Sequence, residues 1–160
     1  MRDLTYSLFY NKFFSLIEPI AEKTGINPFF ILSVSALETG CGKSAPHNNY
    51  FGIKASPSQK NKFLTKTKEY NSKDNKFISV ADHFRSYKNF SESVLDFCRL
   101  IRSRYPQCAG VNDPSVCSLL QNNPKRKYAT DPGYSFKLEA LYYIFLSVHN
   151  ENPSTDGMKG

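Results

Sequence analysis

A chain of 160 residues, 40% hydrophobic and 22% charged, is long enough to bury its own core without metal or a dense set of disulfides. It predicts one domain over residues 1–150 and a flexible tail at 151–160, where apolar periodicity stops. The net charge of +7 calls for an anionic partner, which leaves nucleic acid, an anionic membrane surface and a carboxylate-bearing polymer open. No run is apolar enough to insert into a membrane, and Asp3, Asn11, Lys12 and Glu18 interrupt the N-terminal segment where a secretory signal needs an unbroken apolar stretch.

Residues 4–23 carry Phe9, Phe13, Leu16, Ile17 and Ile20 at helical spacing, with Pro19 as a kink and Gly25 as the stop. Asn27 followed by Pro28 is an N-cap and first-turn pair, and Phe30, Ile31, Val34 and Leu37 predict a second helix over 28–38. Segment 41–60, rich in Gly, Pro and Asn, reads as a loop interrupted by "YFGIKA". The pattern then alternates: 62–70 and 76–85 flank the turn-rich "NSKDN" and predict a β-hairpin. Helical spacing resumes at Ser91, where Val94, Phe97, Cys98 and Ile101 share a face. Asp113-Pro114 caps a short helix through about Leu120, and Asp131-Pro132 caps a longer one with a stripe of Leu138, Leu141, Tyr142 and Phe145. A single hairpin among helices predicts an α+β fold, mainly helical with a small β-hairpin lobe.

The four cysteines, Cys41, Cys98, Cys108 and Cys117, form no CxxC pair, so neither zinc nor another cofactor is expected. Cys108 and Cys117 have two readings. They close a short loop in an oxidising compartment, which the chain-entropy model values at about 2–3 kcal/mol, or they are reduced core residues.

Glu38 is the sharpest chemical signal. It stands at the C-terminal end of an apolar helix, where the negative end of the macrodipole and neighbours such as Val34 and Leu37 both disfavour its charge. Such a carboxyl suits a general acid that keeps its proton near neutral pH. Gly40 and Gly42 allow close backbone approach, and "HNNYFGIKA" supplies amide and aromatic groups of the kind that grip sugar rings. Glycoside hydrolysis needs a second group across the bond, and Glu69 in "TKEY", near the turn end of the first strand, is the candidate. A solvated strand charge among lysines is the alternative for Glu69. Glu92, Asp96 and Asp82 read as surface charges, and Asp113 and Asp131 as caps.

The runs "LETGCGKS", "NNYFGIKA", "TKEY", "FRSYKNFSESVLDFCRLI" and "YATDPGYSFKL", in that order and spacing, resemble the glucosaminidase domain of glycoside hydrolase family 73. The resemblance implies a lysozyme-like fold and cleavage of the β-1,4 bond from N-acetylglucosamine to N-acetylmuramic acid in peptidoglycan. It places the catalytic acid on Glu38, the second carboxylate on Glu69 and the cleft tyrosine on Tyr128. Tyr134 becomes a neighbouring cleft residue, and Asn49, Phe51 and Gly52 become substrate-lining. The chain departs from the family where Cys41 replaces a usual aromatic residue.

Other readings stay open at this level. A muramidase or lytic transglycosylase would share the cleft. A cysteine peptidase using Cys41 with His47 or His83 is disfavoured, because Cys41 follows a helix C-terminus, which raises rather than lowers a thiol. A nucleic-acid-binding module would use the lysines crowding the hairpin, from Lys54 to Lys76, although the glycosidase reading expects no nucleic acid. Within the glycosidase reading, the expected site of action is the periplasm or cell wall, reached through specialised secretion or release by lysis. The Cys108–Cys117 reading favours a type VI secretion effector with an immunity protein plugging the cleft, and a phage endolysin is the alternative. A monomer is expected.

Overall fold

The computed structural model describes residues 4–123, 125 and 127–152, so the expected tail lies outside the described residues from 153 onward. Helix α1, Leu4–Thr24, runs through Pro19 and buries Phe9, Tyr10, Phe13, Phe14, Ile17 and Ala21. Leu16, expected on that stripe, is 45% exposed instead, because the buried positions follow the adjacent 9/13/17 and 10/14/21 rows.

Helix α2, Pro28–Thr39, is the centre of the molecule, packed between α1 and the last helix, α5, Tyr134–Glu151. It is buried nearly all round, which fits its apolar sequence better than a one-sided stripe would. Its start is fixed by Asn27, whose Oδ1 accepts from the Phe29 and Phe30 amides at 2.9 and 3.3 Å, while Nδ2 donates to the Tyr142 hydroxyl at 2.7 Å. The buried hydroxyls of Ser33, Ser35 and Thr39 donate to carbonyls one turn back, so none is left unpaired. Gly40 then turns left-handed at φ 59°, and Cys41 and Gly42 follow with φ 57° and 84°.

Strands β1, Lys62–Asn71, and β2, Lys76–Arg85, pair antiparallel with Phe63 opposite Phe84 and Glu69 opposite Ile78. With side chains alternating, Phe63, Thr65, Thr67 and Glu69 share one face of β1, and Asp82 and Phe84 continue that face on β2. Residues 53–55, the end of the "YFGIKA" run that interrupts the predicted loop, lie along the outer edge of β2: the Arg85 amide donates to the Ile53 carbonyl at 3.0 Å, and the Ala55 amide to the His83 carbonyl at 2.9 Å. The hairpin base is fastened to helix α3, Phe90–Arg104, through Asp96, which accepts from Arg85 Nη1 at 2.9 Å and from the Tyr87 hydroxyl. Asp96 is therefore an anchor rather than a plain surface charge.

Helix α3 begins at Phe90, one residue ahead of the expected start, because Asn89 caps it by accepting from the Glu92 amide at 2.8 Å. The short helix α4, Val116–Gln121, follows an Asp113 turn, and α5 follows an Asp131 turn in which Oδ1 accepts from the Gly133 amide at 2.8 Å. Leu138, Tyr142 and Phe145 of α5 are buried, as their spacing predicts.

The bridge considered between Cys108 and Cys117 is not formed. All four cysteines are free; Cys98, Cys108 and Cys117 are fully buried, and desolvation pushes the last two thiols up to about 11 and about 12. The core at this end of the molecule is apolar enough to hold them as small inert residues.

Candidate active site

A cleft of about 680 Å³ separates the helical body from the concave hairpin face and is lined by Glu38, Gly52, Lys54, Glu69, Tyr128 and Tyr134 among others. The last turn of α2 carries Glu38 to its floor. Solvent reaches this carboxylate through the cleft, yet protein crowds it from the sides: Tyr134 Oη donates to Oε1 at 2.9 Å, and the Cα of Gly52 packs so closely that a Cβ there would stand 2.6 Å from Oε2. Desolvation pushes Glu38 up to about 7; the Tyr134 hydrogen bond opposes this, and the charge of Glu69 adds to it. The result is a carboxyl that keeps its proton close to neutrality while facing a space large enough for sugar rings.

Glu69 reaches the same cleft from the cleft-facing side of β1 and is held at both oxygens. Lys54 Nζ donates to Oε1 at 2.7 Å, and the Thr130 hydroxyl donates to Oε2 at 2.9 Å. Thr130 Oγ1 also accepts from the Tyr70 amide at 3.0 Å, so the segment before α5 is tied to the hairpin beside the carboxylate. Lys54 has a second acid within reach, Asp82 Oδ2 at 3.3 Å. Asp82, expected to be a plain strand-end charge, is thus part of this network.

The two tyrosines both line the cleft and bond to different partners. Tyr134 is the one that bonds Glu38; Tyr128 directs its hydroxyl to the carbonyl of Phe51 at 2.7 Å, fixing the loop that carries Gly52. Burial raises both phenols well above their ordinary range, so both stay protonated and donate.

Of the residues expected to line the substrate, Gly52 does border the cleft. Phe51 does not: its ring is fully buried and stacked on Phe97 at 4.3 Å between centroids. Asn49 sits at the cleft wall but is 5% exposed, with Oδ1 accepting from the Phe51 and Ile53 amides and Nδ2 donating to the carbonyls of Ile53 and Arg85. Both residues shape the loop that carries Gly52. Lys54 and Thr130 are the site residues that sequence reasoning passed over. Lys54 lay within the quoted "FGIKA" and Thr130 within "YATDP", but no local pattern links either to Glu69. Cys41 packs against the core with its backbone left-handed.

A helical body, a hairpin lobe and a cleft lined by two carboxyls, one desolvated and one paired with a lysine, give a lysozyme-like fold with an arrangement that glycoside hydrolysis can use. Residues 15–145 match the glucosaminidase family, described as mannosyl-glycoprotein endo-beta-N-acetylglucosaminidase. The chain belongs to that family, and the resemblance carried by the five motifs is borne out at that level. It is similar to the peptidoglycan hydrolase FlgJ of Vibrio parahaemolyticus, 34% identical over 139 residues that cover 79% of this chain and 44% of that protein. The chain thus spans less than half the length of the curated relatives it matches. A peptidoglycan hydrolase mutant from Sphingomonas sp. A1 superposes with a TM-score of 0.78 at 26% identity, covering 91% of this chain and 99% of that one. A type VI secretion system effector–immunity complex from Pseudomonas protegens, 18% identical with a TM-score of 0.61 over 91% of this chain and 94% of that one, shares the fold alone.

Proposed function

We propose that this protein is a peptidoglycan hydrolase, an endo-β-N-acetylglucosaminidase that cleaves the bond from N-acetylglucosamine to N-acetylmuramic acid. The observation that carries the reading is the placement of Glu38. It lies on the floor of a cleft that Glu69 also lines, open to solvent on that side, with Tyr134 Oη bonded to Oε1 at 2.9 Å and Gly52 packed against Oε2, and this crowding desolvates the carboxyl and pushes it up to about 7. Glu38 gives its proton to the departing glycosidic oxygen, and the positive charge developing on the sugar is stabilised from across the cleft. Glu69 serves either by activating a water, as in an inverting reaction, or by steadying a transition state in which the substrate's own N-acetyl group attacks. The anomer released first, read by proton NMR, distinguishes the two routes.

The test of the activity is to digest purified peptidoglycan, reduce the products with borohydride and identify the reduced end by mass spectrometry. Reduced N-acetylglucosamine is the expected result. Reduced N-acetylmuramic acid would make the enzyme a muramidase, and anhydro ends a lytic transglycosylase.

The proposed setting is the periplasm of a target cell, with an immunity protein seated over the cleft, because Glu38 is reached through that opening. The free thiols of Cys108 and Cys117 withdraw the compartment argument for this setting, which now rests on the cleft alone. Targeting the chain to the periplasm of a test bacterium is expected to cause lysis, whereas unchanged growth alongside hydrolysis of purified wall would contradict the setting and leave the activity standing.

A further inference from the structure

We propose that Lys54 is a positioning residue of the reaction: with the Thr130 hydroxyl it holds the Glu69 carboxylate from both oxygens and offsets its charge, so that two acids can share one cleft. The inference rests on the glycosidase reading of the site. Its geometry does not: Lys54 Nζ lies 2.7 Å from Glu69 Oε1, and Thr130 Oγ1 lies 2.9 Å from Oε2.

Lys54 is placed for this by backbone structure. It pairs with Phe84 on the outer edge of β2, flanked by the hydrogen bonds from Arg85 to Ile53 and from Ala55 to His83, so its Cα is fixed relative to the hairpin. Asp82 lies two residues from Phe84 on β2 and therefore on the same face, and it takes a second contact with the ammonium at 3.3 Å. One lysine thus bridges an acid from each strand. A carboxylate anchored at one oxygen still rotates about its last side-chain bond. Anchoring at both oxygens by donors from separate segments removes that freedom, which is the preorganisation a positioned base or charge stabiliser needs.

The electrostatic consequence reaches Glu38. The charge of Glu69 already raises Glu38, and Lys54 is the cation paired with Glu69. The remaining charged groups around the cleft are Asp131, paired with Lys137 at 2.6 Å, together with Arg104 and Lys127 on the wall opposite the hairpin, and Lys66 and Lys68 on β1. Asp82 is the other acid on Lys54, but the charge that raises Glu38 is that of Glu69, so removing the lysine leaves that carboxylate without its cation.

The test compares wild type with Lys54→Met and Lys54→Arg, each alone and in a Glu69→Gln background. Turnover of purified peptidoglycan is followed against pH, and the Glu38 carboxyl is titrated by carbon-13 NMR. Lys54→Met is expected to lower kcat about 10- to 100-fold with KM changed less than about threefold, as expected for a displaced group that acts in the transition state. It should also move the Glu38 titration and the alkaline limb of the rate profile to higher pH. Lys54→Arg should restore most of the rate, and in Glu69→Gln the Lys54→Met shift of Glu38 should largely disappear, because Glu69 is the charge through which the lysine acts. A Lys54→Met protein with unmoved Glu38 titration, or a shift of full size in the Glu69→Gln background, overturns the proposal. Because the NMR titration needs no turnover, it decides the point even if wild type releases no reducing ends, a result that would instead overturn the proposed activity.

Discussion

Gly52→Ala tests how closely the loop after α2 dictates the position of the acid. In the wild type a Cβ at residue 52 would stand 2.6 Å from Glu38 Oε2 and 3.2 Å from its Cδ, whereas ordinary contact begins at 3.4 Å. The oxygen must therefore retreat by about 0.8 Å, the difference between 3.4 and 2.6 Å, and the 2.9 Å bond from Tyr134 to the other oxygen cannot follow without strain. A misplacement of about 1 Å at a reacting group costs on the order of 100-fold, so kcat/KM is expected to fall by roughly that factor. The backbone adds its own cost, since φ at residue 52 is +64° and a side chain there is disfavoured by about 1–2 kcal/mol. For a domain of this size that lowers Tm by about 2–8 °C. Dye release from labelled peptidoglycan gives the first quantity and thermal unfolding the second. Wild-type kcat/KM in a Gly52→Ala protein whose Tm has dropped as expected would refute the reasoning, because the clash would then exist without touching the chemistry.

Glu38→Gln is expected to lower wall hydrolysis by about 100- to 10,000-fold with an unchanged circular dichroism spectrum, the range that loss of a general acid spans. It should also change stability in a pH-dependent way. Folding raises Glu38 from 4.5 to about 7, so wild-type stability is fully present below the unfolded value and is lost as pH rises from there through about 7. Denaturant titrations should show Glu38→Gln gaining on wild type across that window and no such gain at lower pH. Asn49→Ala is expected to lower Tm, because the Phe51 and Ile53 amides and the Arg85 carbonyl lose the Asn49 side chain and the Ile53 carbonyl keeps only the Arg85 amide, a loss of about 1–3 kcal/mol; an unchanged Tm would mean that Asn49 does not organise the loop. Thiol labelling without reductant should modify all four cysteines in denaturant while sparing Cys98, Cys108 and Cys117 in the native protein. Two cysteines refusing label in denaturant would restore the disulfide reading.

What could be read from the sequence followed from how local its causes are. Asn27-Pro28 announces the start of α2 because cap and first turn are neighbours in sequence, and the alternation around "NSKDN" announces the hairpin for the same reason. Glu38 was legible because the helix dipole and the apolar run both belong to its own helix. The contacts that set its proton affinity come from elsewhere: Gly52 from the next loop, Tyr134 from 96 residues along the chain. The same distance hides which of Tyr128 and Tyr134 bonds Glu38, since both lie in one motif and only the fold decides which hydroxyl meets it. The family resemblance places Asn49, Phe51 and Gly52 together at the substrate, but the turn that exposes Gly52 buries the other two. Lys54 and Thr130 left no sequence signal towards Glu69, because one reaches it from the edge of β2 and the other from the segment before α5.

The central claim is that Glu38 is a proton donor held near neutrality by the desolvation that Gly52 and the cleft floor impose on a carboxyl still open to the cleft. Carbon-13 titration of its carboxyl, assigned by difference from Glu38→Gln, measures this directly beside the pH dependence of kcat/KM. A midpoint at about 7 that coincides with the alkaline limb is the predicted result. A midpoint near the ordinary glutamate value of 4.5, with activity persisting above neutrality, would contradict it.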